Sequence, residues 1–118
     1  MSPLEEAERN SRLAHIASAC EAILEFTGPR TRQDYDDDLM FRLAVERALT
    51  IIGEAMLSAA KKTPALAAQI SDVPRIVGLR HRLVHDYPNI DSDEVWRIIH
   101  EDVPLLLAEV RALLPPAP

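Results

Sequence analysis

Residues 36–61, DDDLMFRLAVERALTIIGEAMLSAAK, decide the fold class. The run opens on Asp36, Asp37 and Asp38, carboxylates that suit the positive end of a helix dipole, and closes on Lys61-Lys62, cations that suit the negative end. Between them Leu39, Met40, Leu43, Ala44, Ala48, Ile51, Ile52, Ala55, Met56 and Ala59 recur at three- and four-residue steps, the period of an α-helix. They spread over more than one face. A helix so patterned is expected to be central and contacted on two sides, with Gly53 letting a neighbouring helix come close.

Upstream, Ser2-Pro3-Leu4-Glu5 reads as an N-cap, a proline in the first helical position and a capping glutamate. Leu13, Ile16, Ala17, Cys20, Ile23, Leu24 and Thr27 continue the helical step until Gly28-Pro29 stops it, so a first helix is expected over about residues 3–27. Residues 28–35 read as a polar connection. Downstream, Thr63-Pro64 opens a short helix to about Ile70. Ser71-Asp72 precedes a helix with Val73, Ile76, Val77, Leu79, Leu83 and Val84 as its apolar set, and Pro88 discourages helical geometry at Tyr87. Asp91 with Glu94 caps a last helix carrying Val95, Trp96, Ile99, Val103, Leu106, Leu107, Val110 and Leu114. Pro104 should kink that helix or restart it with Asp102 as a new cap. The expectation is an all-α, up-and-down bundle of about four to five helices in a single domain spanning 1–118, with its core over about 12–114 and a Pro-rich tail at 115–118.

The composition fits. Apolar residues make up 47% of the chain, yet only five are aromatic, so the interior must be built from Leu, Ile, Val and Ala. Cys20 is the lone cysteine and stands among apolar neighbours, which excludes an internal disulfide or cysteine-based zinc cluster and predicts a reduced compartment. No apolar run has signal-peptide or membrane-spanning length, so a soluble, cytoplasmic protein without membrane partners is expected. A net charge of −6 argues against long, nonspecific contact with nucleic acid, which depends on clustered Lys and Arg. Any such contact must be local. Residues 72–87 offer the place: Arg75, Arg80 and Arg82, with His81 and His85, face only Asp72 and Asp86 within that segment.

Arg80-His81-Arg82-Leu83-Val84-His85-Asp86-Tyr87 closes its helix. His81 and His85 share one face, whereas Arg80 is rotated about 140° from His85, a turn that an extended guanidinium can span at the helix end. A histidine takes and gives a proton near neutral pH, and an arginine offers a permanent charge with forked donors for phosphate oxygens. With a base, an acid and a cation, an RNA 2′-hydroxyl can attack its own adjacent phosphate without a metal. One chain supplies few such groups, but two copies about a dyad would put two arginines and up to four histidines in one cleft. Spacing alone leaves other readings open. The arginines can be solvated surface and His85 a structural histidine, or His81 and His85 can be a helical metal-ligand pair, although no intervening Glu or obvious third ligand accompanies them.

Arg80, four residues, His85, one residue and Tyr87 match the R-x4-H-x-Y signature of the HepT-like toxins, a branch of the HEPN superfamily, which this chain resembles. The frame around the motif is similar too: Ile51-Ile52-Gly53-Glu54-Ala55, Ile76-Val77-Gly78-Leu79-Arg80, and Val95-Trp96-Arg97-Ile98-Ile99 with Asp102-Val103-Pro104 stand in family order, over roughly residues 12–114. The resemblance implies a homodimeric, helical, metal-independent endoribonuclease toxin with no cofactor, in which Arg80 and His85 are catalytic and His81, Arg82 and Tyr87 support the cleft. It further implies an antitoxin partner of the minimal nucleotidyltransferase (MNT) type, able to transfer AMP from ATP to Tyr87. One departure is Val73-Pro74, where a Trp would be expected before the catalytic helix.

Other residues are weaker candidates. Asp34, Asp36, Asp37 and Asp38 can be imagined as a Mg²⁺ site, against the plainer reading of a helix-start charge cluster. Glu54, in a largely apolar helix, calls for a partner such as an arginine, either as a structural ion pair or beside the cleft. Two further functional classes keep the helical fold without cleavage: a noncatalytic HEPN module that binds nucleotide or a nucleotidyltransferase, and a structural helical adaptor.

Overall fold

A computed structural model describes residues 1–116, so the last two residues of the expected tail, Ala117 and Pro118, lie outside the described part. The described residues are helical and contain no strand. Six α-helices follow in order: α1 (Pro3–Thr27), α2 (Arg32–Asp37), α3 (Leu39–Lys62), α4 (Val73–His85), α5 (Ser92–Arg97) and α6 (Val103–Leu113). A single π-helical turn, Ile98–Asp102, joins α5 to α6, so the two form one rod and the bundle has five members.

The end of α3 is tied to the start of α1 by Lys62 and Glu8, 2.8 Å apart, and these two long helices form an antiparallel pair. As expected, α3 is central, packing on α1, α2 and α4. Leu13, Ile16, Cys20 and Ile23 of α1 meet Val45, Ile52 and Met56 of α3 in a core that Val95, Ile99, Val103 and Val110 of the last rod complete. Burial pushes the Cys20 thiol up to about 12, so it is a small apolar side chain here. Among the described residues no helix is long and apolar enough to cross a membrane.

The signals at the ends of α1 act as written, whereas Thr63 makes no side-chain cap and Pro64–Ala68 form a 3₁₀ turn where a short helix to about Ile70 was expected. Ser2 Oγ accepts from the Glu5 N–H at 3.1 Å, and Gly28 takes a positive φ of 41° where α1 stops. Two further expectations fail. Residues 28–35 are more than a polar connection: Thr31 and Asp34 make a reciprocal capping box that starts α2, and Tyr35 from that helix is buried against Phe41, ring centroids 5.8 Å apart. Consequently α3 begins at Leu39, with Asp38 as its cap, and Asp36 and Asp37 sit at the unfavourable end of α2. Arg32 offsets that placement by holding Asp36 at 2.7 Å, which keeps the Asp36 carboxyl below its ordinary range. The second failure is at Asp102, which caps nothing. The helix absorbs Pro104 by widening, with the Val103 N–H reaching back five residues to the Ile98 carbonyl.

Candidate active site

Helix α4 carries the motif and is anchored at both ends. Asp72 enters it in the left-handed region, φ 57° and ψ 52°, where a short polar side chain is tolerated, and its carboxylate accepts from the Arg75 N–H at 3.3 Å. Val73 is buried in the first turn and Pro74 lies beside it, filling the position where the resemblance led one to expect Trp. At the other end the helix stops at His85, the Asp86 N–H donates to the Arg82 carbonyl at 2.7 Å, and Tyr87–Asn89 make a 3₁₀ turn. Pro88 thus ends the helix just after the motif histidine, as the sequence predicts.

The side chains of the motif go to different places. Arg80 lies against α3, its stem on Gly53: a Cβ built on that glycine would fall 2.1 Å from the Arg80 Cβ. That contact explains why position 53 has no side chain. Beyond it the Arg80 guanidinium reaches Glu54, Nη2 to Oε1 3.7 Å, while its Nε is buried without a hydrogen-bond partner among the described residues. Arg80 is therefore half-buried, not free at an open helix end. His81 and His85, both exposed, pack along α4 as a tilted pair with ring centroids 4.5 Å apart. Tyr87 is 64% exposed.

Arg82 leaves this group. It makes two parallel bonds to Glu94 of α5, each 2.8 Å, which hold the Glu94 carboxyl below its ordinary range and tie the end of α4 to the last rod. Arg75 likewise pairs with Asp102 at 3.1 Å. The basic island of residues 72–87 is thus largely compensated from outside the segment, by Glu54, Glu94 and Asp102. A count along the chain could foresee an arginine for Glu54 but not the acids that claim Arg75 and Arg82, since these come from the last rod.

The family model described as Ribonuclease HepT-like matches residues 16–113. The chain belongs to this HepT-like family. It is 36% identical over 100 residues to "Putative RNase MJ1380" of Methanocaldococcus jannaschii, covering 83% of this chain and 89% of that protein. It is 34% identical over 101 residues to "Probable ribonuclease HepT" of Thermococcus cleftensis, covering 86% and 91%, and 31% identical over 104 residues to "Putative RNase TTE0752" of Caldanaerobacter subterraneus subsp. tengcongensis, covering 86% and 90%. No solved structure matches the chain.

In this HepT-like chain the four aspartates read as an alternative ion site are engaged elsewhere. Asp34 and Asp38 cap helices, Asp36 holds Arg32, and Asp37 accepts from Gln33 at 3.0 Å. Among the described residues no three His, Cys, Asp or Glu side chains gather as a ligand cluster, His81 and His85 included. Glu54 has its arginine, as expected, though it is exposed and not buried. Two side chains beside it escaped the sequence reading: Arg12 and His15 of α1 line a recess with Ile51, Glu54, Ala55 and Ser58. Their only signal is the i, i+3 spacing of two cationic residue types at the edge of the apolar stripe of α1.

Proposed function

We propose that this HepT-like chain is a metal-independent endoribonuclease and the toxin of a toxin–antitoxin pair, working as a homodimer. The observation that carries the reading is the motif's arrangement at one helix end: an arginine oriented by Glu54 and an exposed pair of histidines. The names of its relatives as RNases point the same way. His85 takes the proton of an RNA 2′-hydroxyl; the 2′-oxygen bonds to the adjacent phosphorus as the P–O5′ bond breaks. A second imidazole protonates the departing 5′-oxygen, and Arg80 neutralises the pentacoordinate phosphate between them. His81 supports that chemistry from one turn away.

The second imidazole and a second cation come from another copy of the chain. A two-fold contact brings the same α4 end from each subunit to one cleft. Apolar side chains left in the open on the two helices of the site, Met40, Leu43 and Val84, favour such a contact. Tyr87, exposed two residues beyond His85, is the acceptor for AMP from a nucleotidyltransferase antitoxin. An adenylate there would place a negative phosphate and a bulky base among groups that attract RNA phosphate, occupying the site and neutralising Arg80.

Cleavage of RNA by purified wild type, Arg80→Gln and His85→Ala tests the reading, with circular dichroism matched across the three. Each substitution is expected to lower the rate by about 10² to 10⁴, and activity is expected to persist in EDTA. Unchanged cleavage by His85→Ala would sink the assignment, and dependence on an added divalent ion would restore the histidine-pair metal reading. RNA or nucleotide bound but never cut would leave the noncatalytic module. Incubation with ATP and the partner enzyme should add the mass of AMP to wild type and not to Tyr87→Phe.

A further inference from the structure

We infer that Arg12 and His15 of α1 form a phosphate-binding subsite for the RNA strand, one helix away from the motif and joined to it through Glu54. The recess they line has a volume of about 200 Å³ and is open to solvent; Ile51, Glu54, Ala55 and Ser58 of α3 form the rest of it. Glu54 is the link, because the same carboxylate that lines the recess lies 3.7 Å from Arg80. Arg12 thus shares a recess with the acid that Arg80 pairs with, two cations to one carboxylate on a chain whose net charge is −6.

Most of the other arginines are already engaged. Arg32, Arg75, Arg82, Arg97 and Arg111 each hold a carboxylate, and Arg30 reaches a backbone carbonyl while covering the Phe41 ring. Arg12 and His15 make no ion pair or side-chain hydrogen bond among the described residues. An unpaired arginine that lines a recess beside a paired carboxylate can offer its forked donors to two oxygens of one phosphate. The imidazole of His15 and the hydroxyl of Ser58 supply further donors. A strand whose scissile phosphate sits at Arg80 carries its neighbouring phosphates onward to either side, and the recess on the α1 side of Glu54 is where the next of them would lie. This inference rests on the ribonuclease reading.

The test uses a fluorescent 2′-O-methyl ribo-oligonucleotide, which has no free 2′-hydroxyl and cannot be cut, with the full chain and its Arg12→Gln, Arg12→Lys, His15→Gln and Arg111→Gln variants. Affinity is followed across a salt series. Loss of one phosphate contact should weaken binding several-fold at low salt and reduce the slope of log K against log salt by about 0.7 for a single strand. Arg12→Lys should restore both, and His15→Gln should weaken binding in the same direction. On cleavable RNA, Arg12→Gln should raise KM and spare kcat. If Arg12→Gln binds with wild-type affinity and slope while His85→Ala still abolishes cleavage, the subsite is wrong and the ribonuclease reading stands. If Arg111→Gln, on the far helix α6, weakens binding equally, the effect is one of net charge and the subsite is again wrong. If wild type neither binds nor cuts RNA, both readings fall together.

Discussion

Gly53 and Arg80 meet more closely than any side chain at position 53 would allow, and the placement of the motif arginine depends on that approach. A methyl group at 53 would collide with the Arg80 Cβ and Cγ at 2.1 and 2.8 Å, distances that only a shift of α4 can relieve, since the Cβ is fixed to the helix backbone. Overpacking of this kind costs about 1–3 kcal/mol. Gly53→Ala is therefore expected to lower the unfolding midpoint and, by moving Arg80 off Glu54, to depress kcat more than the stability loss explains. Gly78, where a methyl would meet nothing within 4 Å, is the matched control: Gly78→Ala removes a helix-destabilising residue at an open position and should leave both quantities at or above wild type. Equal effects at 53 and 78 would show that the close approach has no role.

At the scale of elements, α4 is held by ion pairs to two neighbours, and one of them gives a pH signature. Arg82 keeps the Glu94 carboxyl below its ordinary range, so the pair's contribution is complete above the unfolded carboxylate pKa, about 4.3, and is lost as pH falls through the lower folded value. Thermal unfolding of wild type should thus weaken steadily on acidification below about pH 5, and Glu94→Gln should be less stable at neutral pH with a flatter acid limb. Glu46 works with the opposite sign. Burial raises its carboxyl, so it opposes folding at neutral pH and is relieved by acid. Much at this scale was legible in the chain, because caps, prolines and the three-to-four step are local: α1, the central α3 and the end of α4 at His85 follow from them. The start of α2 was hidden because Thr31 and Asp34 form a capping box in a segment with too few apolar residues to show a period, and its single buried side chain, Tyr35, declares itself only against Phe41. The π turn was hidden because a proline signals a break, and only packing of Ile98, Ile99 and Val103 into one core makes a widened helix preferable to a kink. In the site, the motif residues and the arginine for Glu54 could be read from sequence, whereas the acids that claim Arg75 and Arg82 could not.

For the whole molecule the question is whether one subunit suffices. A net charge of −6 leaves little long-range attraction for RNA, and most of the arginines are paired within the chain, so on the proposed reading binding would come from the few cationic groups around Glu54 and the end of α4. The composite cleft proposed above would double those groups without changing the charge of either subunit, and it would supply base and acid from separate copies of His85. It also makes the active unit vulnerable to poisoning. When wild type at fixed concentration is mixed with a large excess of His85→Ala and allowed to exchange, nearly every wild-type subunit enters a mixed dimer that has lost one imidazole from the shared cleft. Cleavage per wild-type subunit should then fall toward the level of the mixed species, and light scattering should report dimers throughout. A double variant carrying Arg80→Gln and His85→Ala should poison more strongly, since its mixed dimers lose a cation as well. If each subunit held a complete site, the excess would leave wild-type activity per subunit unchanged whatever the mass of the particle. That result would separate dimerisation, as a matter of assembly, from the catalytic need for a second α4.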